Sequence, residues 1–222
     1  MKTLIVLFAT IFAAAGCSRP PAAIPPISPE DSARIAIDNL AHREKVREFF
    51  LTDKGSPFRR DSSIRFTEIK WYPVDVRYCV TSTLHRYAVP ETVTVMGTRG
   101  EARRNLKYGY FEFLLPDTGT GAVSCRLNVY KFTPYDGQRY LLYKNQLSVW
   151  FTDRTTGLET YHVGRYVEIG EEVSDSAHQY TIDFNKAYNP YCAYSSLYSC
   201  AIPREEDRLN VAVAAGEKTY HE

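Results

Sequence analysis

The sequence predicts an all-β domain, an antiparallel β-sandwich or barrel of about eight or nine short strands with an N-terminal helix packed on it. Three observations support this prediction. Seventeen tyrosines and eleven phenylalanines lie mostly in strand-like runs, and aromatic residues favour strands. Beyond residue 63, apolar residues alternate with polar ones, and clusters of turn residues separate the alternating runs. The chain shows neither an internal repeat nor the alternation of strands and helices that is typical of parallel sheets.

The composition limits the function classes. A chain of 222 residues holds one sizeable domain, and no shift in composition marks a second. The formal net charge is +1, and it falls to zero if a leader containing Lys2 is removed. Such a balance gives no electrostatic reason to expect a nucleic-acid partner.

The N-terminal residues predict export and lipid attachment. A short positive segment precedes a twelve-residue apolar run, Leu4 to Ala15, which is too short to span about 30 Å of hydrocarbon comfortably. Small residues and then Cys17 follow, as in a bacterial lipobox, so we expect residues 1–16 to be a lipoprotein signal peptide and Cys17 to be acylated. An ordinary signal peptide with a coincidental cysteine is the alternative. Ser18, in place of an aspartate, is typical of lipoproteins sent to the outer membrane.

A tether and a helix are predicted next. Residues 17–28 are rich in proline, which favours an extended polyproline conformation and would hold the domain on the order of 30 Å from a membrane. The domain itself is expected over residues 29–222. Ser28 as N-cap, Pro29 in the first turn and the acidic residues after it predict a helix to about Phe50. Its predicted apolar stripe consists of Ile35, Leu40, Val46 and Phe50.

The strands are predicted from alternation. The first runs centre on residues 76–80, 111–115 and 125–129, and further strands are expected near residues 140–151, 159–169, 179–184 and 208–214. Turns are expected at residues 97–100 and 116–119. Asp136 and Gly137 form a dipeptide that predicts a tight hairpin.

One set of polar residues in the C-terminal half is costly to bury and is therefore the candidate site. If residues 159–169 form a strand, Arg165 shares a face with Val163 and Val167, and its half-buried guanidinium requires a carboxylate, from Asp183 or Glu159. Either the set is a structural network that fixes strand register, or it lines a pocket for a polar ligand. Its members are Glu159, Arg165, Asp183, Asn185, Tyr188 and Asn189.

The cysteines and histidines bear on disulfides and metals. An exported chain with four cysteines besides Cys17 has three possible connectivities. Cys192–Cys200 is favoured because both lie in one loop, where closure contributes about 2.5 kcal/mol in the chain-entropy model. Cys79 and Cys125 point to opposite faces by alternation, so a bridge between them is not expected. The five histidines are scattered, no nucleophile-elbow motif is present, and we expect neither a metal nor a cofactor.

Several longer motifs resemble a known family. They are the stretches Gly157-Leu158-Glu159-Thr160-Tyr161, Gly164-Arg165-Tyr166, Asp183-Phe184-Asn185 and Ala187-Tyr188-Asn189-Pro190-Tyr191-Cys192. On these motifs the chain is identified as a member of the bacterial domain-of-unknown-function family 1684. The resemblance covers nearly all of the mature chain but implies no activity. The chain departs from the family pattern at Ala201, Arg204 and Asp207, where the family usually has Pro, Pro and Asn.

These observations together predict a cell-envelope lipoprotein that is periplasmic and lipid-anchored to the outer membrane. Its expected partners are the membrane, through the anchor alone, and a small polar ligand or an envelope protein. The role is expected to be binding or structural. The alternative is a periplasmic hydrolase-like enzyme that uses the carboxylates of Glu159 and Asp183 as acid or base.

Overall fold

The computed structural model describes residues 24–117 and 121–221. Three α-helices, α1 (Pro29–Thr52), α2 (Pro57–Arg60) and α3 (Gly137–Tyr143), accompany seven strands in this part of the chain. The strands are β1 (Cys79–Thr83), β2 (His85–Met96), β3 (Ala102–Asp117), β4 (Gly121–Phe132), β5 (Gln146–Phe151), β6 (Arg165–Glu171) and β7 (Gln179–Asp183). No helix among the described residues is both long and apolar enough to span a membrane.

The strands form two antiparallel sheets, as the sequence predicts. Five strands pair in the order β2-β3-β4-β5-β6, and β1 pairs with β7 in a separate two-stranded sheet. The described strands number seven, slightly fewer than the eight or nine expected. The mostly-β class with an N-terminal helix is confirmed.

The main core lies between the two sheets. From β3 and β4, alternate residues point inward: Phe111, Phe113, Leu115, Cys125, Leu127 and Val129 are all buried. Tyr180 and Ile182 of β7 close the core from the small sheet. The predicted face of Cys125 is therefore confirmed, because it shares the core with Leu127 and Val129.

Helix α1 begins as predicted and buries a different face from the one expected. The Ser28 hydroxyl accepts a hydrogen bond from the Asp31 backbone at 3.0 Å, so it caps the helix. Phe50 is buried in an aromatic cluster with Phe58 and Tyr194. Leu40 is 59% exposed, which corrects the predicted stripe; Asn39 beside it is fully buried instead.

Two connections differ from the prediction. Asp136 and Gly137 do not form a hairpin turn, because Gly137 begins α3 and β5 starts only at Gln146. The predicted strand at residues 159–169 begins only at Arg165. The residues before it form a loop of consecutive turns that places Gly164 at φ 123°, a conformation that favours glycine.

Residues 208–214 do not form a strand, although their burial alternates as in one. Leu209, Val211 and Val213 are buried, and Asn210 and Ala214 are exposed. Its backbone pairs with residues 152–154 only at isolated points, where the Leu209 N–H donates to the Thr152 carbonyl at 2.8 Å and the Arg154 N–H donates to the Val211 carbonyl at 3.1 Å. The alternation alone could not reveal that the pairing is so short. We refer to residues 208–217 as the C-terminal segment.

Candidate functional site

Four of the six predicted polar residues belong to two buried networks, and the other two lie outside both. Arg165 and Asn189 belong to a network around the C-terminal segment, called the Arg165 network below. Asp183 and Asn185 belong to a second network beneath α1, called the Asp183 network. Glu159 and Tyr188 belong to neither network.

Arg165 is fully buried and its partner is Asp153. The guanidinium Nη2 lies 2.9 Å from Asp153 Oδ2, and both side chains have 0% exposure. The sequence prediction that Arg165 requires a carboxylate is confirmed, but the proposed partners, Asp183 and Glu159, are wrong. The Asp153 carboxylate is held in turn by Thr155, whose backbone and hydroxyl donate to Oδ1 at 2.7 and 2.6 Å.

The guanidinium also binds the C-terminal segment through its backbone. Nη2 donates to the Val213 carbonyl at 2.9 Å, and Nη1 donates to the carbonyls of Ala215 and Glu217. These carbonyls belong to alternate residues, so one arginine supplies donors as a neighbouring strand would in a sheet. The side chain therefore fixes the segment against β6.

The Arg165 network continues to a buried acid that the sequence analysis did not select. Glu217 is 1% exposed; its Oε2 accepts from the Asn189 backbone at 2.8 Å and from the Tyr194 hydroxyl at 2.5 Å. Its other oxygen has no hydrogen-bond partner in the described part of the chain. Burial raises the pKa of Glu217 to about 7, against the lowering effect of those two donors and of Arg165. The carboxyl group can therefore take up a proton near neutral pH.

The Asp183 network joins α1 to the end of β7. Asp183 Oδ2 accepts from the Asn39 side chain at 2.8 Å, and Oδ1 accepts from the backbone and side chain of Asn185. The Asn185 side chain also pairs with the backbone N–H and C=O of Asp75, at 2.9 Å for each bond. The bonds of Asn39 to Asp183 and of Asn185 to Asp75 connect distant chain segments, which is typical of a structural role.

Glu159 and Tyr188 lie apart from the charged centre of either network. Glu159 is exposed, and its carboxylate lies 3.4 Å from Lys218 Nζ. Tyr188 is half-buried and pairs with Tyr166 through two backbone hydrogen bonds of 3.0 Å. Glu159 and Asp183 therefore have no partner in common within the described structure.

The four cysteines within the described residues are free thiols. Cys192 and Cys200 are neighbours, since the Cys192 backbone N–H donates to Cys200 Sγ at 3.2 Å. The predicted Cys192–Cys200 disulfide is thus absent here and stays a prediction. Cys17 lies outside the described residues. No group of three or more His, Cys, Asp or Glu residues that could hold a metal is present in the described chain.

The outer face of the large sheet carries a group of residues that sequence reasoning did not select. Asp207 is buried and accepts from the Tyr130 hydroxyl at 2.6 Å and from the Asn128 side chain at 2.8 Å. Asn128 accepts from the Tyr87 hydroxyl at 2.8 Å. The pKa of Asp207 is raised, chiefly by burial.

This chain of hydrogen bonds ends at an exposed arginine. Arg126 Nη2 donates to the Tyr87 hydroxyl at 2.8 Å, and its guanidinium lies 3.5 Å from the centre of the Tyr110 ring. His85 stacks on the same Tyr110, with ring centres 4.9 Å apart. We call His85, Tyr87, Tyr110 and Arg126 the aromatic–arginine patch. The alternation of Arg126, Asn128 and Tyr130 along β4 was the sequence signal that could have identified it.

Comparisons with known proteins show what the chain is similar to. A family model described as "Protein of unknown function (DUF1684)" matches residues 64–218, which include all seven strands, Arg165, Asp183, Glu217 and both loop cysteines. The chain is also similar to the solution NMR structure of an uncharacterized protein of Haloarcula marismortui. Identity is 30%, the alignment covers 88% of this chain and 100% of that one, and the TM-score is 0.60. No curated protein matches the chain.

Proposed function

The chain belongs to the DUF1684 family of proteins of unknown function, and from that premise we propose that it is a non-enzymatic cell-envelope lipoprotein that binds a small polar ligand. In this proposal Cys17 carries the lipid, residues 17–28 form the tether, and the domain faces the periplasm from the outer membrane. The apolar run that ends at Cys17 and the proline-rich segment after it support the anchor.

The complete burial of the Arg165–Asp153 pair is the observation that carries the non-enzymatic role. A catalytic acid or base must come within hydrogen-bond reach of a substrate. Both side chains have 0% exposure, and the remaining hydrogen bonds of the guanidinium are to backbone carbonyls. The network is therefore suited to holding the C-terminal segment in place, as other buried ion pairs hold a fold.

The hydrolase-like alternative, which uses Glu159 and Asp183, receives no comparable support. Glycoside-type chemistry requires two carboxyl groups that flank one substrate bond. Glu159 pairs with Lys218 at the surface, and Asp183 accepts three hydrogen bonds from Asn39 and Asn185. Those three N–H donors direct both oxygens of Asp183 into the fold, toward Asn39 and Asn185, and not toward Lys218, the partner of Glu159.

The aromatic–arginine patch is the surface that we propose for binding. Arg126 is exposed, and its orientation is fixed by Tyr110 beneath it and by the Tyr87 hydroxyl. A guanidinium that is already oriented loses little conformational entropy when it binds a carboxylate or phosphate. The exposed His85 ring, stacked on Tyr110, offers a flat surface to a sugar ring. The patch therefore fits an anionic saccharide of the envelope, and an envelope protein is the other occupant that the test distinguishes.

Calorimetric titration of the purified full-length protein with a soluble muropeptide, an anionic saccharide, tests this proposal. Loss of a charge-assisted hydrogen bond costs about 1.5–3 kcal/mol, so Arg126→Ala should weaken binding by roughly 10- to 150-fold. Arg59→Ala, at an exposed arginine on α2, is the matched control and should bind like the wild type.

Two outcomes would count against the saccharide assignment. If the wild type does not bind the muropeptide, the ligand is of another class, and crosslinking in intact cells would then look for a protein partner at the same patch. If Arg126→Ala and Arg59→Ala bind equally well, the patch is not the binding surface.

A further inference from the structure

The two ends of one loop bring a pair of thiols together. Cys192 is half-buried and Cys200 is 9% exposed. The backbone N–H of Cys192 donates to Cys200 Sγ at 3.2 Å, and the Tyr161 hydroxyl lies 3.7 Å from Cys192 Sγ. Each sulfur therefore has a hydrogen-bond donor directed at it.

The surroundings of this pair favour a thiolate. A hydrogen bond from the Cys200 thiol lowers the pKa of Cys192 to about 6, with smaller contributions from the hydroxyls of Tyr161 and Thr98. Arg103 Nη2 donates to the Ser199 carbonyl at 2.7 Å, next to Cys200, and its charge is paired with the Glu101 carboxylate. A thiol whose pKa is lowered by hydrogen-bond donors directed at its sulfur is more reactive than an ordinary cysteine.

Cys79 and Cys125 provide the contrast within the same chain. Burial raises the pKa of each of their thiols to about 11. A thiol of that kind is protonated at neutral pH and reacts slowly. Reactivity is therefore expected at Cys192 and not at Cys79 or Cys125.

The positions of both sulfurs are fixed by the backbone around them. The Cys200 carbonyl accepts from the Thr98 backbone at 3.0 Å, and Ile202 donates to the Met96 carbonyl at 2.8 Å, so this end of the loop pairs with β2. The other end is a 3₁₀ turn in which Ala193 and Tyr194 bond back to Pro190 and Tyr191. These contacts hold both ends of the loop and keep Cys200 Sγ within 3.2 Å of the Cys192 backbone nitrogen.

We propose that Cys192 and Cys200 form a reversible thiol–disulfide pair, with Cys192 as the attacking thiolate and Cys200 as the resolving thiol. This role goes beyond the proposed ligand binding and does not rest on it. It also differs from a permanent structural disulfide, which forms once and resists reduction by cellular thiols.

The co-reactant is a small-molecule disulfide of the glutathione type. The Cys192 thiolate attacks one sulfur of that disulfide, forms a mixed disulfide and releases one thiolate. The Cys200 thiol then loses its proton to solvent or to the released thiolate and attacks the Cys192 sulfur. The products are the Cys192–Cys200 disulfide and a second small thiol, so the protein dithiol is oxidised by two electrons and the small disulfide is reduced to two thiols. A large excess of small thiol reverses both steps.

Alkylation of the reduced full-length protein with iodoacetamide tests the reactive thiolate. Labelling at pH values between 5 and 9, followed by mass mapping, should show half-maximal labelling of Cys192 at a pH clearly below the value of about 8.5 for an ordinary thiol. Cys79 and Cys125 are internal controls and should remain almost unlabelled at pH 7. Tyr161→Phe removes one donor to the sulfur and should move the midpoint for Cys192 to higher pH without disturbing the fold.

Equilibration with mixtures of reduced and oxidised glutathione tests reversibility. The fraction of Cys192–Cys200 disulfide should rise from small to large as the proportion of oxidised glutathione rises. The proposal is overturned if Cys192 labels with the midpoint of an ordinary thiol, near pH 8.5. It is equally overturned if the disulfide persists in every mixture, because the pair would then be a structural disulfide.

Discussion

Replacement of Arg165 by alanine should destabilise the fold severely. The change removes the partner of a fully buried carboxylate, Asp153. It also removes the donors to three carbonyl groups of the C-terminal segment, those of Val213, Ala215 and Glu217. No other side chain is bonded to those three carbonyls in the described structure, and the backbone pairing of the segment with residues 152–154 extends only to Val211.

The size of the effect follows from these contacts. Loss of one member of a buried ion pair costs about 3–5 kcal/mol, and each buried carbonyl that loses its donor adds on the order of 1 kcal/mol. The total is about 6–8 kcal/mol, which is a large part of the roughly 5–15 kcal/mol that stabilises a typical domain. For a chain of this length, 1 kcal/mol changes the melting temperature by about 2–4 °C. Arg165→Ala should therefore melt at least about 12 °C below the wild type, or not fold.

Thermal unfolding of the purified full-length protein, followed by circular dichroism, measures this. Arg165→Lys should recover little, because an ammonium group cannot reach Asp153 and three carbonyls at once as the planar guanidinium does. Arg154→Ala is the matched control. That arginine precedes Thr155 in the same loop and is exposed, so its loss should change the free energy of unfolding by no more than about 0.5 kcal/mol.

The reasoning would be refuted if Arg165→Ala melted within about 2 °C of the wild type. A melting temperature restored by Arg165→Lys would show instead that charge alone matters and that the fork of hydrogen bonds does not. Asp153→Asn should resemble Arg165→Ala in direction, since it removes the charge from the same pair.

Three further predictions concern pH, the lipid anchor and the remaining cysteines. The pKa of Glu217 is about 7 in the folded state and lies above its usual value near 4.5, so folding takes up a proton between these two pH values. The contribution of Glu217 to stability is therefore fully present below pH 4.5. It falls by up to about 3 kcal/mol as pH rises through 7. Chemical denaturation at pH 5 and pH 8 should show this loss in the wild type, and Glu217→Gln should lack it; an equal loss in both would locate the titrating group elsewhere. Metabolic labelling with a fatty-acid analogue should tag the wild type but not Cys17→Ala, and equal labelling of the two would disprove lipidation at that residue. Mass mapping without reduction should yield no peptide that joins Cys79 to Cys125, because they lie on strands of different sheets; recovery of such a peptide would contradict the strand assignment.

Much of the fold could be predicted because local chemistry determines it. Ser28 and Pro29 define the start of α1 through capping, which depends on residues within one turn. The alternation in β3 and β4 identifies their buried faces, since successive side chains of a strand point to opposite sides. The prediction failed at Gly137, where the Asp-Gly pair is typical of a hairpin but the structure continues into α3. The residues of a turn do not determine how many residues separate one strand from the strand with which it pairs.

The candidate site was predicted less completely, for a related reason. A buried arginine requires a carboxylate, and this requirement can be inferred from the apolar neighbours of Arg165 alone. Which carboxylate it is depends on how the chain folds back. Asp153 reaches Arg165 because β5 and β6 pair antiparallel and bring Phe151 opposite Arg165, only two residues from the acid. Asp183 instead meets Asn39, which is 144 residues away in sequence.

The C-terminal segment shows why burial periodicity and strand formation are separable. Its alternate residues pack into the core as those of a strand would, but a strand also needs a neighbour whose backbone pairs with it along its length. The backbone of Arg154 donates to the Val211 carbonyl, and beyond it the Arg165 side chain supplies the donors to Val213, Ala215 and Glu217, so the segment is fixed without belonging to a sheet. The segment then passes close to another part of the chain at Gly216, where φ is 79° and a Cβ atom would lie 2.5 Å from the Ala187 carbonyl oxygen. A side chain at that position would push Glu217 away from the Asn189 backbone, so the arginine, the glycine and the buried acid act as one anchoring unit.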